Sequence, residues 1–565
     1  MITLAACSRG PEQPDTVAQK FAEALNVDNV AAAAQLTTDP AKAEATLSQA
    51  YEALGRDVRV SVQHAESGAV TFAMDWKVGG GAHQWTYTAD AKADDAEGDW
   101  KLLWNPALVA PGLAEGESLR YVPVYGKPAR ILDRAGKELM TQQVVTLVNV
   151  TKEANLAAVA RTLDLEQAAL QSELDAAQGK PVTAVTLREA DLQPVEAALS
   201  GMPGVTLAKQ TRLLAVDRSL NSPTLNGLAD LWQTEQSAAA GWAVQAVAAD
   251  GTVRQLAGAD AKPTTDIATT VDLTMQAAAE NALANVPQQA AIVAIQPSTG
   301  GVLAMAQSAD ADRQGAIALT GLYPPGSTFK TVTVTAALQA GATTPDTVLP
   351  CPGRANIEGR TIPNDEGFDL GSVPLHTAFA RSCNTTMARL AVGLPPDGLT
   401  RAATQLGLGI DYVTPGLTTV TGSVPVANSP AERVEEGIGQ GKVTASPFGM
   451  ALLTAALARG SVPAPMIVSG KPGTADRAAP PLPAGVAAQV TAMMRETVTA
   501  GTATALSGIP DLRGKTGTAE YSQDGRNHAH GWFVAISGDL ALAVFIAGAE
   551  SSAPAVAAAG RFLQR

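Results

Sequence analysis

Two residues near the middle of this chain have the types and spacing of a nucleophile and its base. Ser327 and Lys330 stand three apart in Tyr323-Pro324-Pro325-Gly326-Ser327-Thr328-Phe329-Lys330, and residues i and i+3 are neighbours on a helix surface. The Pro-Pro-Gly turn stops any preceding structure and lets a helix start at the serine. A serine hydroxyl is a poor nucleophile at neutral pH and needs a base. A lysine one turn along can serve once burial and a second cation bring its pKa down towards working pH. Two further strings follow in order, Ser382-Cys383-Asn384 and Lys515-Thr516-Gly517-Thr518. The second of these supplies a candidate for that second cation, Lys515.

In this order the strings read S-x-x-K, S-x-N and K-T-G, the signature of penicillin-recognising serine enzymes. Their flanks resemble the class B penicillin-binding proteins: Tyr-Pro-Pro-Gly-Ser-Thr-Phe-Lys, Arg-Ser-Cys-Asn-Thr-Thr-Met and Gly-Lys-Thr-Gly-Thr-Ala-Glu, with Gly437-Ile438-Gly439-Gln440-Gly441 and His530-Gly531-Trp532-Phe533 beside them. The resemblance covers roughly residues 120–565. The N-terminal part resembles the nuclear-transport-factor-2-like spacer of methicillin-resistance-type proteins and of many actinobacterial, lipoprotein-type ones.

The resemblance implies a peptidoglycan D,D-transpeptidase. Ser327 would be acylated by a stem peptide ending in D-Ala-D-Ala, with Lys330 as base and Ser382 relaying the proton to the leaving D-alanine nitrogen. Asn384 would hold the substrate amide and help place Lys330. The backbone N–H groups of Ser327 and Thr518 would form the oxyanion hole, donors aimed where negative charge develops, and Ser327 gains the positive end of its helix dipole. Lys515, Thr516 and Thr518 would bind the terminal carboxylate. Gly517 would keep the strand face open, so that an extended peptide adds as a strand. β-Lactam antibiotics would mimic the donor and trap Ser327. No metal or organic cofactor is needed. A SEDS-family membrane glycosyltransferase is the partner the family implies.

Other functions share parts of this signature. A serine β-lactamase needs a deacylating base, and no Glu-x-x-Leu-Asn context lies between the second and third strings. A D,D-carboxypeptidase would use water as acceptor. A scaffold or regulator of a membrane glycan polymerase would rest on the non-catalytic half of the chain. Blander readings exist for single residues. Ser382 and Asn384 could cap a helix. Gly437–Gly441 reads as a tight turn supporting the site, and no Lys-Ser/Thr follows it in phosphate-loop spacing. His530 and Trp532 read as packing beneath the K-T-G strand.

The elements that would position these groups are legible as an α+β multidomain chain. Its expected parts are a lipobox and tether over 1–11, an α+β spacer over 12–117, a mixed dimerisation or linker domain over 118–265 and a transpeptidase domain over 266–565. In the spacer, Asp15 is the expected cap of a helix whose Val17, Phe21 and Leu25 share a face. Alternation at Val58, Val60 and Val62, at Val70, Phe72, Met74 and Trp76, and at Trp100, Leu102 and Trp104 predicts half-buried antiparallel strands. The cone of such a sheet could hold a ligand, but its tryptophans read as core. In the linker, Arg130 and Asp133 read as structural salt-bridge partners. In the last part, hairpins over 292–305 and 532–546, an edge strand at Lys515 and helices from Ser327 to about Ala340 and from Ser446 to Leu457 make an antiparallel sheet with a helical subdomain.

Composition narrows the partners. A length of 565 residues suits several domains, and a net charge of −14 without any basic block argues against nucleic acid. The cysteines are Cys7, Cys351 and Cys383, which make neither a disulfide framework nor a metal spacing. An oxidising compartment would allow a Cys351–Cys383 bridge; the simpler reading is two small buried thiols. The histidines form no metal motif. No run reaches the length of a membrane span. Leu4-Ala5-Ala6-Cys7 resembles a lipobox, in which Cys7 is acylated and anchors an otherwise extracytoplasmic protein to the cell membrane.

Overall fold

The computed structural model describes residues 13–96, 99–217, 220, 222–523 and 525–564; Cys7 lies outside them. The chain divides into two compact units, one of residues 1–128 with 234–264 and one of 129–233 with 265–565. The stretch 118–265 therefore contributes to both.

In the first unit, helix Pro14–Asn26 begins with proline at its first turn and buries Val17, Phe21 and Leu25 on one face. Asp15 is not its cap. The cap position is Gln13, and Asp15 sits inside the first turn, where a carboxylate complements the helix dipole. Strands Val58–Glu66, Ala69–Val78, His83–Ala96 and Asp99–Leu102 pair as a sequential meander. Every second residue of Ala69–Val78 is buried, Val70, Phe72, Met74 and Trp76 among them. The tryptophans are core: Trp76 donates to the Tyr87 hydroxyl at 3.0 Å, and Trp85 is buried beside it. Strands Ser118–Val124, Gly241–Val247 and Val253–Ala259 form a second sheet, and their Leu119, Val244 and Ala246 belong to the same core as Phe21 and Trp76.

In the second unit, a five-stranded sheet is built on the long strand Glu138–Val150. Arg130 pairs with Asp266 at 2.6 Å and with Glu138 at 3.2 Å, as its structural reading requires. Asp133 differs: its carboxylate accepts the backbone N–H groups of Ala135 and Lys137, both at 2.8 Å, and closes a turn.

The rest of this unit carries the three strings. Its elements, in chain order, are strands β1 (Ala290–Ile295) and β2 (Val302–Gln307), helices α1 (Lys330–Gln339), α2 (Leu375–Ala380), α3 (Asn384–Val392), α4 (Pro430–Glu436), α5 (Pro447–Arg459) and α6 (Val486–Thr499), and strands β3 (Arg513–Gln523), β4 (Arg526–Ile536) and β5 (Ala541–Ile546). The sheet order is β2-β1-β5-β4-β3, antiparallel at each pairing, so β3 is an edge. Strands β1, β2 and β5 are buried along their whole length, which explains their near-continuous apolar runs. Helix α5 is capped by Ser446, whose hydroxyl accepts from Gly449 N–H at 2.9 Å, and it ends at Gly460 with φ +83°. Ser327 itself precedes α1: a 3₁₀ turn spans Gly326–Phe329 and the α-helix starts at Lys330. Helix α1 is buried from Lys330 to Leu338, and its threonines remain satisfied because Thr331 and Thr335 donate to carbonyls one turn back and Thr333 donates to Gly437 O.

Candidate active site

The turn that carries Ser327 is fixed by glycine. Gly326 has φ +53°, and a Cβ there would lie 2.5 Å from Thr518 O, so only glycine lets Ser327 approach β3. Gly517 is small for a related reason. A side chain on it would meet Thr328 Cγ2 at 2.8 Å and Pro325 O at 3.0 Å; the space is filled by the Ser327 turn.

Lys330 and Lys515 are both fully buried. Lys330 Nζ donates to Ser382 O at 2.7 Å, Ser382 Oγ at 3.2 Å and Asn384 Oδ1 at 2.6 Å. These bonds point it at the second string rather than at Ser327. Lys515 Nζ donates to Ser382 Oγ at 2.9 Å and Thr516 O at 3.0 Å, and sits 5.6 Å above the Phe379 ring. Ser382 Oγ therefore bridges both amines. Neither amine has a carboxylate among its hydrogen-bond partners in the described residues. Burial first, and the charge of Lys515 second, push Lys330 well below the ordinary lysine value, against a smaller upward pull from Asp365. Burial alone brings Lys515 down to about 7. A buried amine that sheds its proton near neutral pH is a competent base.

Ser382 reaches this place through an unusual backbone. Its φ is +61°, a conformation that costs a non-glycine residue on the order of 1–3 kcal/mol and persists only when the surroundings hold it. Several contacts do so. Ser382 N–H and Cys383 N–H close onto Phe379 O and Ala378 O, at 2.9 and 2.8 Å. Asn364 Oδ1 accepts from Asn384 N–H at 2.8 Å and Thr385 N–H at 3.3 Å. Asn384 Nδ2 donates to Pro363 O at 2.9 Å. Ser382 and Asn384 are not a side-chain cap: the cap of α3 is Cys383, with no side-chain bond.

The cysteines overturn the simpler reading. Cys351 and Cys383 are joined, with S–S 2.09 Å and Cα–Cα 6.2 Å. The bridge pins the middle residue of the second string to strand Val348–Cys351 and leaves it no free thiol. Sequence reasoning also missed Asn364 and Thr502. Thr502 N–H reaches Ala380 O at the end of α2 at 3.2 Å, and its hydroxyl meets Thr516 Oγ1 at 2.6 Å. It ties the helix before Ser382 to the strand that carries Lys515, and it engages the Thr516 hydroxyl. A single Asn or Thr outside a motif gives no sequence signal for such a role.

Behind β3, Trp532 is fully buried and donates to Pro324 O at 3.0 Å. His530 stacks on Tyr521, rings 4.2 Å apart, and burial lowers it to about 4, so it is neutral. Both pack beneath the strand, as expected from the sequence.

Comparison with known proteins agrees with this architecture. Residues 290–563 match the penicillin binding protein transpeptidase domain, and residues 13–117 match the NTF2-like N-terminal transpeptidase domain. The chain is 32% identical over 323 residues to peptidoglycan D,D-transpeptidase PbpA of Mycolicibacterium smegmatis, covering 48% of this chain and 64% of that protein. It is 31% identical over 307 residues to PbpA of Mycobacterium tuberculosis, 46% of this chain and 61% of that one. Against penicillin-binding protein 3 of Bacillus subtilis it is 23% identical over 540 residues, 80% and 78% of the two chains. The matches thus span less than two thirds of the two PbpA proteins. The two domain matches and the PbpA relatives together support a class B penicillin-binding protein.

Proposed function

We propose that this protein is a peptidoglycan D,D-transpeptidase that works through an acyl-enzyme on Ser327. The observation that carries the reading is Ser382 Oγ held between two buried amines, 3.2 Å from Lys330 and 2.9 Å from Lys515, beside a serine turn pressed against the edge of β3. Ser327 Oγ attacks the carbonyl of the penultimate D-alanine of a donor stem. Its proton passes to neutral Lys330 and, through Ser382, to the nitrogen of the departing D-alanine as the peptide C–N bond breaks. The oxyanion is met by the N–H groups of Ser327 and Thr518. Lys515, Thr516 and Thr518 receive the terminal carboxylate. An amine of a second stem then attacks the ester and Ser327 recovers its proton. A β-lactam presents the same acyl carbonyl and leaves a stable ester.

We propose the division expected from the sequence, 1–11, 12–117, 118–265 and 266–565, as a functional one only, since the compact units divide 118–265 between them. The disulfide supports an extracytoplasmic site of action, because such bridges persist in oxidising compartments. No helix among the described residues is long and apolar enough to cross a membrane. We infer that Cys7 carries a lipid anchor and that a SEDS-family glycan polymerase supplies the substrate strands. The test is reconstitution with nascent glycan strands. The wild type should release D-alanine and form cross-linked dimers, and Ser327→Ala should do neither. D-alanine release without dimers would make it a carboxypeptidase; neither product from the wild type would leave the scaffold reading.

A further inference from the structure

Strand β3 ends its sheet, so its outer edge carries main-chain groups free to pair with an extended peptide. In an antiparallel strand every second residue turns its N–H and C=O to that side. Glu520 is one such residue. Set in the orientation that satisfies both groups, the side-chain amide of Gln440 accepts from Glu520 N–H at 2.9 Å and donates to Glu520 O at 3.2 Å. Two and four residues back, Thr518 and Thr516 face the same way, and Lys515 Nζ reaching Thr516 O at 3.0 Å agrees with that parity. Gln440 thus does for Glu520 what a neighbouring strand would do.

The same loop also grips the nucleophile's turn. Gly326 N–H donates to Gly439 O at 2.9 Å. Gly439 has φ +74°, and a Cβ on it would stand 2.1 Å from Gly326 O. The loop is itself anchored to α1, where Thr333 Oγ1 donates to Gly437 O at 2.8 Å. Consecutive residues, Gly439 and Gln440, therefore bond the Ser327 turn and the β3 edge. Ser327 and Thr518, whose N–H groups would meet on one oxygen in the proposed reaction, lie one and two residues from those bonds.

We propose that Gln440 is a positioning residue for acyl transfer: it closes the peptide-binding edge of β3 past Thr518 and holds that edge at a set distance from the Ser327 turn. This rests on the transpeptidase reading above. A donor peptide that adds to β3 can pair along Thr516 and Thr518, where Thr516 O also accepts Lys515 Nζ at 3.0 Å, and meets a filled position at Glu520. Without Gln440 the edge loses its tie to the loop, and oxyanion donors displaced by a fraction of an ångström stabilise the transition state less while ground-state binding is largely kept.

The test compares full-length wild type with Gln440→Met, which keeps the volume and loses both bonds, and Gln440→Glu, which keeps an acceptor for Glu520 N–H. Hydrogen exchange of the 513–523 segment reads the bond directly, and stopped-flow labelling with a fluorescent penicillin separates the limiting acylation rate from the dissociation constant. In Gln440→Met one slow amide should be lost and the limiting rate should fall on the order of 10-fold, with the dissociation constant within about 2-fold. Gln440→Glu should keep the slow amide and recover part of the rate. Unchanged exchange in Gln440→Met, an unchanged rate, or a loss that falls on binding alone would overturn the proposal. A wild type that takes no label would refute the acyl-enzyme reading instead, and the exchange comparison would still decide whether Gln440 holds the edge.

Discussion

At the scale of residues, the site is an electrostatic device assembled from burial. Lys330 and Lys515 are buried with Ser382 Oγ between them, and the charge of Lys515 disfavours that of Lys330. The sign of the resulting pH dependence follows from the causes of the Lys330 shift. In the proposed mechanism the neutral amine is the active base, so acylation should rise with pH as Lys330 loses its proton and then level off. Lys515→Met removes a like charge that depresses Lys330, so the acidic limb should move to higher pH. Asp365→Asn removes the carboxylate that favours the charged form, so the limb should move to lower pH, by less because Asp365 is exposed. Acylation rate constants across pH for the three proteins check both directions; shifts of the same sign would refute this account of the pair. The motif residues were legible because their chemistry is written in short local strings. Asn364 and Thr502 were not, because each acts by bonding one distant loop, and nothing local marks an Asn or Thr for that purpose.

At the scale of elements, what matters is how the second string is held. Its backbone adopts φ +61° at Ser382, and Asn364 and the Cys351–Cys383 bridge clamp the residues that follow. The bridge closes a loop with a sequence separation of 32, which in the chain-entropy account stabilises the fold by about 3–4 kcal/mol. Replacing both cysteines, Cys351→Ser with Cys383→Ser, should lower denaturant stability by about that amount. Urea unfolding of the two proteins measures it, and equal midpoints would show that the bridge adds nothing to the fold. The pairing was only one of two readings of the sequence, since no spacing rule joins two isolated cysteines. Strands were more legible. Period-two alternation at Val70, Phe72, Met74 and Trp76 predicted the strand Ala69–Val78, and the hairpins expected over 292–305 and 532–546 hold β1 with β2 and β4 with β5. The cap of the first helix was misread because Pro14 starts the helix one residue ahead of the acidic side chain that looked like its cap.

At the scale of the whole molecule, the first unit is not a bead that can be cut off at its family boundary. The NTF2-like match ends at residue 117, yet Leu119, Val244 and Ala246 lie in the same core as Phe21, Phe72 and Trp76. A chain starting at residue 118 would leave strands Ser118–Val124 and Gly241–Val247 with their apolar faces in water, and exposed patches of this kind drive association. Such a truncation should bind a hydrophobic dye and elute as aggregates; a monodisperse product without dye binding would show that this core is not shared. Sequence periodicity could not reveal the sharing, because it reports which face of a strand is apolar and not which distant segment covers it.

The most direct measurement of the central claim is intact-mass analysis of purified protein exposed to a penicillin, followed over hours beside Ser327→Ala. The account predicts one adduct of the drug's full mass per chain, located on the peptide containing Ser327, persisting for hours and absent from the variant. An adduct on another residue, or one that vanishes within seconds while the drug is hydrolysed, would contradict it.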